Sequence, residues 1–234
     1  MYRERAASLI PGATAVWARQ AESGAAARVL PDGCMDLIWH DGDLLVAGPD
    51  TTALLVPGRP GDRYEGLRFA PGVGAAVLGV PAYELRDRRV PLAALWPQRE
   101  VRVLAERLSQ AADRGAALER LIADRAERAD RPGPPDPVRE VVLSGLRRGQ
   151  RVPELARRTY LSERQLRRRC LELFGYGPKT LERVLRLQRA LTPARRGTPF
   201  AQVAVVAGYA DQAHLAREVR ALAGLPLTEL LAGG

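Results

Sequence analysis

The sequence predicts an α+β protein in which a strand-rich N-terminal half with trailing helices precedes an all-helical C-terminal domain. Three observations carry this. Between Val16 and Leu78, short apolar runs alternate with turn residues. Between Val152 and Val219, one local pattern occurs twice. Charge is also split unevenly: residues 138–234 hold 18 Arg or Lys against 8 Asp or Glu, whereas residues 1–137 hold 18 against 19. A chain of 234 residues is long enough for two ordinary domains, each with its own core.

In the N-terminal half the runs Arg28–Leu30, Met35–His40, Leu44–Ala47, Ala53–Val56, Tyr64–Phe69 and Ala75–Leu78 read as strands. The turns between them are Pro31-Asp32-Gly33, Asp41-Gly42, Gly48-Pro49-Asp50 and the stretch from Pro57 to Gly61. Asp41-Gly42 between two apolar runs is the clearest hairpin signal. Strands this closely spaced predict a small antiparallel barrel or sandwich. After Pro81 the pattern turns helical, with short turns at Tyr83–Asp87 and Leu92–Trp96 and amphipathic helices at Arg99–Gln110 and Gly115–Ala129. Asp130 to Pro137 is rich in proline and interrupts any helix. The domains expected are therefore 1–130, a linker over 131–137, and 138–234.

The doubled pattern runs from Val152 to Cys170 and again from Phe200 to Val219. Leu155 and Ala156 answer to Val203 and Ala204, Leu166 to Leu215, and Cys170 to Val219. Each copy reads as a short helix, a tight turn and a longer helix. In the first copy Leu166, Cys170, Leu173 and Phe174 share one helical face, leaving Glu163, Arg164, Arg167 and Arg168 on the other. Ser162 with Gln165 forms a capping box that starts the second helix, and Asp211 is the corresponding N-cap in the second copy. Pro153 and Pro199 suit the first turn of each leading helix. A linking helix from about Lys179 to Leu191 joins the copies, with Thr192-Pro193 ending it. A basic outer face on the second of two turn-linked helices describes a DNA-reading helix-turn-helix.

These residues resemble the AraC/XylS family of bacterial transcription regulators. The likeness rests on Ser162 through Arg169, Leu173-Phe174-Gly175-Tyr176-Gly177-Pro178, Leu185 through Ala190, and Ala204 through Leu215, in the family's order over about the last hundred residues. Cys170 and Val219 stand where that family commonly has Phe. The resemblance implies two helix-turn-helix units and double-stranded DNA as partner. Its site would comprise Ser162, Glu163, Arg164, Gln165, Arg167 and Arg168 in the first unit, and Asp211, Gln212, Ala213, His214 and Arg217 in the second. RNA polymerase as a further partner, a small-molecule effector, and a monomer or homodimer all stay open. The segment from Leu30 to Trp39, with Ala47–Asp50 and Leu67–Gly72, resembles an uncharacterised N-terminal domain attached to a subset of AraC-like regulators. That likeness implies a cupin-like sensing or interaction module.

Other chemistry finds few residues. His40 and His214 are the only histidines and lie in different predicted domains, so neither a metal nor a cofactor is expected. Cys34, Asp36 and His40 could form a thiol nucleophile or redox sensor, but they fall with Ile38 on one face of a single strand, and nothing supplies an oxyanion hole. Trp17, Trp39 and Trp96 read as core before pocket. The cations are arginine save Lys179, which suits bidentate phosphate and guanine contacts. With Cys34 and Cys170 the only cysteines and no signal or membrane-spanning run, the expected setting is the reducing cytoplasm. The rival readings are a DNA-tethered thiol enzyme or redox sensor using Cys34, and an adaptor binding protein through Arg99–Ala129; the expectation is that the chain is not an enzyme.

Overall fold

A computed structural model describes the chain except residues 11–12, 22–23, 25, 129–135 and 233–234. Its N-terminal part centres on β4 (Met35–His40), where Met35, Leu37 and Trp39 are buried and Asp36, Ile38 and His40 face the opposite side. The expected hairpin joins it to β5 (Asp43–Ala47), with Asp41 and Gly42 at φ of 48° and 92° as a primed turn requires. On its other flank β4 pairs with β7 (Arg63–Phe69), which pairs with β2 (Ala13–Gln20), which pairs with β1 (Tyr2–Ala6). β8 (Arg89–Pro91) completes the sheet beside β5, giving the antiparallel order β1-β2-β7-β4-β5-β8.

Two expectations need correcting, and one strand, β1, was not expected. The strands do not close into a barrel: β1 and β8 remain separate edges, and β3 (Ala27–Val29) with β6 (Leu54–Val56) form a detached two-stranded ribbon. Closure depends on pairing between the first and last strands, which strand spacing cannot encode. Ala75–Leu78 is not a strand but part of helix α1 (Gly74–Leu78), since a short apolar run carries no period of its own. β1 leaves no periodic signal in the sequence, because Tyr-Arg-Glu-Arg-Ala is an exposed, charged edge strand without an apolar face.

Helices α2 (Gln98–Gln110) and α3 (Arg114–Arg128) cover the sheet face that carries Val16, Leu37, Val46 and Leu67, packing it with Leu104, Leu108, Leu118 and Ile122. Each such side chain contributes roughly 1.5–3 kcal/mol when fully buried. Most of the expected linker lies outside the described residues. Its last two residues already begin α4 (Pro137–Arg147), whose N-cap Asp136 accepts from the Val138 N–H at 2.8 Å.

The C-terminal part consists of α4, α5 (Val152–Arg158), α6 (Glu163–Phe174), α7 (Pro178–Arg195), α8 (Phe200–Ala207), α9 (Gln212–Ala223) and α10 (Leu227–Ala232). Its spine is α7. Leu181 and Val184 enter the cluster formed with α4 to α6, whereas Leu187, Ala190, Leu191 and Ala194 enter the cluster formed with α8 to α10. Contrary to expectation, α7 continues through Pro193. Only the final turn lies beyond the ring, so little hydrogen bonding is lost there while Ala194 stays packed in the second cluster. Pro199 is the N-cap of α8, directly before its first turn. Cys170 and Val219 are both fully buried, occupying core seats in equivalent places of the two units.

Candidate nucleic-acid interface and adjoining cavity

The capping box at the start of α6 is complete: Ser162 Oγ accepts from the Gln165 N–H, and Gln165 Oε1 accepts from the Ser162 N–H at 2.9 Å. At α9, Asp211 Oδ1 accepts from the His214 N–H at 2.6 Å. Both helices therefore start at sites fixed by sequence. Each buries one stripe, Leu166, Cys170 and Leu173 in α6 and Leu215, Val219 and Leu222 in α9, and turns the other outward.

The candidate residues divide by what their side chains already hold. Glu163, Arg164, Arg167 and Arg168 are exposed on α6, and Gln212, Ala213 and Arg217 are exposed on α9. Arg168 lies 4.0 Å from Glu172, a loose surface pair that competes weakly with another partner. Ser162, Gln165 and Asp211 are occupied as caps. His214 is folded back: its Nδ1 accepts from the Ala210 N–H at 3.3 Å and its ring meets Tyr209 edge-on at 5.3 Å. Of the run Arg167-Arg168-Arg169, the last turns away from the outer face, and its Nε donates to Asp136 at 2.9 Å.

Behind the helices, a cavity of about 430 Å³ lies between the Asp36 face of the sheet and the β3–β6 ribbon. Trp17 lies flat over Gly66, where a Cβ would come within 2.4 Å of its ring, and Trp17 Nε1 donates to Asp36 Oδ1 at 2.7 Å. Trp17 thus lines the cavity, while Trp39 and Trp96 belong to the core. Asp36 also accepts from Arg68 Nε at 3.1 Å, and Asp50 takes both Nη groups of Arg89 at 2.8 and 2.6 Å. Burial pushes the Asp36 carboxyl up, with Arg68 opposing. The alternation of β4 placed Asp36 on this face; Arg68, its cross-strand partner on β7, and Arg89 on β8 lie far from it in the sequence, and no short-range pattern pointed to them.

Cys34 lies in the cavity wall, and burial, reinforced by Asp32, pushes its thiol far above the ordinary range. That is the reverse of what a thiolate nucleophile needs. His40 stacks on Tyr64 at 4.1 Å, and its imidazole, Asp41 and Asp62 bring donor atoms within 4.8 Å of one another. Asp41 is exposed, and exposed acidic groups commonly cluster in this way without an ion.

Residues 155–233 match the helix-turn-helix domain family, and residues 8–91 match a domain of unknown function, DUF6597. The C-terminal part is an AraC-type helix-turn-helix domain. Two solved structures of ToxT from Vibrio cholerae share the fold over nearly the whole length. Each is 10% identical with a TM-score of 0.51 and covers 99% of this chain, and 98% and 97% of their own chains are covered in turn. No curated protein matches the chain. No described helix is long and apolar enough to cross a membrane.

The AraC-type domain is docked against the N-terminal part at the C-terminal ends of both outer helices. Phe174 and Gly175, which close α6, lie against Gly72, Pro49 and Ala82, so closely that a Cβ on Gly175 would sit 2.6 Å from Pro49. Arg139 of α4 donates through Nε to the Pro71 carbonyl at 2.7 Å. At α9, Arg28 Nη1 donates to the Ala223 carbonyl and the Ala53 N–H to the Leu222 carbonyl, both at 2.7 Å. Gln188 of α7 adds a bond to the Pro31 carbonyl at 2.8 Å.

Proposed function

We propose that the chain is a sequence-specific, double-stranded DNA-binding transcription regulator in which α6 and α9 read bases and the N-terminal half controls the readout. The observation that carries this reading is the pair of capped helices, each with an arginine-bearing outer stripe, mounted on the single spine α7. Arg164, Arg167 and Arg168 are the base-facing groups of the first unit, and Gln212, Ala213 and Arg217 those of the second. Arginine suits guanine O6 and N7, and Gln212 suits adenine N6 and N7. His214, held by its cap, contributes at most its Nε2 edge. Two reading helices in one chain let a single copy occupy successive major-groove segments, so dimerisation is not required for binding.

Selection of binding sequences from random duplex DNA by the full chain tests the reading. The expected outcome is a bipartite consensus bound with an affinity that falls steeply with salt, because several phosphate-contacting arginines release counterions. Enrichment of no sequence at low salt would overturn it.

A further inference from the structure

The two outer helices of the AraC-type domain are held by mechanically different parts of the N-terminal half. The end of α6 rests on Pro49, Gly72 and Ala82. Pro49 lies between Gly48, whose N–H bonds the Arg88 carbonyl at 3.0 Å, and Asp50, clamped by Arg89; Gly48, Asp50 and Arg89 also line the cavity, but the pairing of Ala47 with Arg89 ties them to the six-stranded sheet. The end of α9 is capped instead by the ribbon, through Arg28 in the middle of β3 and Ala53 just before β6. Among the described residues the ribbon shares no strand pairing with the six-stranded sheet. Its far side is the cavity wall: Leu30 both lines the cavity and packs against the second unit's core.

We propose that the ribbon is a relay, in which a molecule seated in the cavity shifts the placement of α9 while leaving α6 fixed. This rests on the DNA-reading function given above. The cavity also indicates its occupant. Its walls are mainly aliphatic and aromatic, and Asp36 with Arg68 and Asp50 with Arg89 neutralise one another across its polar end. The charged residues that line it, Arg19, Arg68 and Arg89 against Asp32, Asp36 and Asp50, balance, so the wall favours neither sign, and an ionised group lodged among the two pairs would have to break one of them. The ligand class is an uncharged, largely apolar small molecule carrying a hydrogen-bonding group. Since unpaired carbonyls at a helix end need a donor, displacing Arg28 and Ala53 changes the last turn of α9 first.

The uncharged dye Nile red serves as the probe, with full-length protein. Saturable fluorescence enhancement is expected, together with its loss in Ile38→Trp, which fills the cavity. Hydrogen exchange should change at the amides of Leu222 to Gly224 and stay unchanged at Leu173 to Gly175. On the selected DNA, footprints should change at least threefold in apparent affinity over the half-site read by α9 alone. Arg28→Met should bind the dye yet lose the response of α9; if it does not fold, Arg28→Gln replaces it. Dye binding without altered exchange at α9, or with equal change at both helices, overturns the relay. Absence of saturable binding overturns the site. Failure to select any DNA overturns the DNA-reading function, whereas the exchange measurement still decides the relay on its own.

Discussion

Tyr160 occupies, in the turn of the first helix-turn-helix unit, the left-handed position that Gly208 occupies in the second, at φ of 55° against 82°. In both turns the following N–H reaches back to the leading helix: Leu161 bonds the Ala156 carbonyl at 3.0 Å and Tyr209 bonds the Ala204 carbonyl at 2.8 Å. The same closure is made with a side chain in one unit and without one in the other.

A left-handed conformation costs a residue bearing a Cβ about 1–2 kcal/mol, and Tyr160, 96% exposed, recovers nothing by packing. Tyr160→Gly should therefore stabilise the fold by about 0.5–1 kcal/mol, after allowance for the greater freedom of glycine in the unfolded chain. Gly208→Ala should destabilise by a similar amount. Urea unfolding of the two variants checks this, and equal signs for both would refute it.

Arg168 and Arg217 stand on corresponding exposed faces of α6 and α9. With 18 residues, α7 is roughly 27 Å long at about 1.5 Å per residue, which together with the widths of the units suits helices about 34 Å apart, one turn of B-DNA. Replacing either arginine by Ala should cost about 1–3 kcal/mol at the preferred sequence and relax the base chosen there. Arg147→Ala, at the exposed end of α4, should weaken all sequences alike and lower the salt slope by about one. Competition binding against random duplex separates the two behaviours. Equal loss on specific and random DNA would make Arg168 a backbone contact.

Glu119 of α3 ties the N-terminal segment to the helical layer. Its carboxylate accepts from the Ser8 N–H, from the Leu9 N–H at 2.8 Å and from Arg5 Nη1 at 2.8 Å. Burial alone would push this carboxyl up; the Leu9 and Ser8 N–H groups and Arg5 outweigh it and hold it below the usual range. Its stabilising contribution is thus complete above the unfolded value of about 4.3 and is lost as the pH falls through the lower folded value. Glu119→Gln should cost about 1–3 kcal/mol at pH 6 and progressively less toward pH 3. A gap between wild type and variant that stays constant over that range would contradict the linkage.

Tyr176 inserts from the α6–α7 turn against Gly33 of the N-terminal part, and its buried hydroxyl has no hydrogen-bond partner among the described residues. Burial pushes the phenol well above its ordinary range. Tyr176→Phe should be neutral or stabilising by about 1 kcal/mol, since it removes an unsatisfied polar atom and keeps the ring. Thermal unfolding provides the measurement, and a loss above 1 kcal/mol would mean that the hydroxyl has a partner.

What the sequence determined by itself was local. Ser162 with Gln165 and Asp211 set the starts of the outer helices, because a cap and the N–H it satisfies lie within three residues of each other. The repeat of Leu166 and Cys170 in Leu215 and Val219 fixed which faces are buried, and Asp41-Gly42 fixed the hairpin. The alternation along Met35–His40 put Asp36 and Ile38 on one face. Tertiary structure decided everything that depended on partners far apart in the chain. Whether β1 met β8, whether Arg68 or Arg89 answered the aspartates, and whether Pro193 ended α7 turned on packing that no short window contains. The same holds for Arg28 against Ala223, 195 residues apart: a side chain and a helix end meet only once both halves have folded, and no periodicity in either records the meeting.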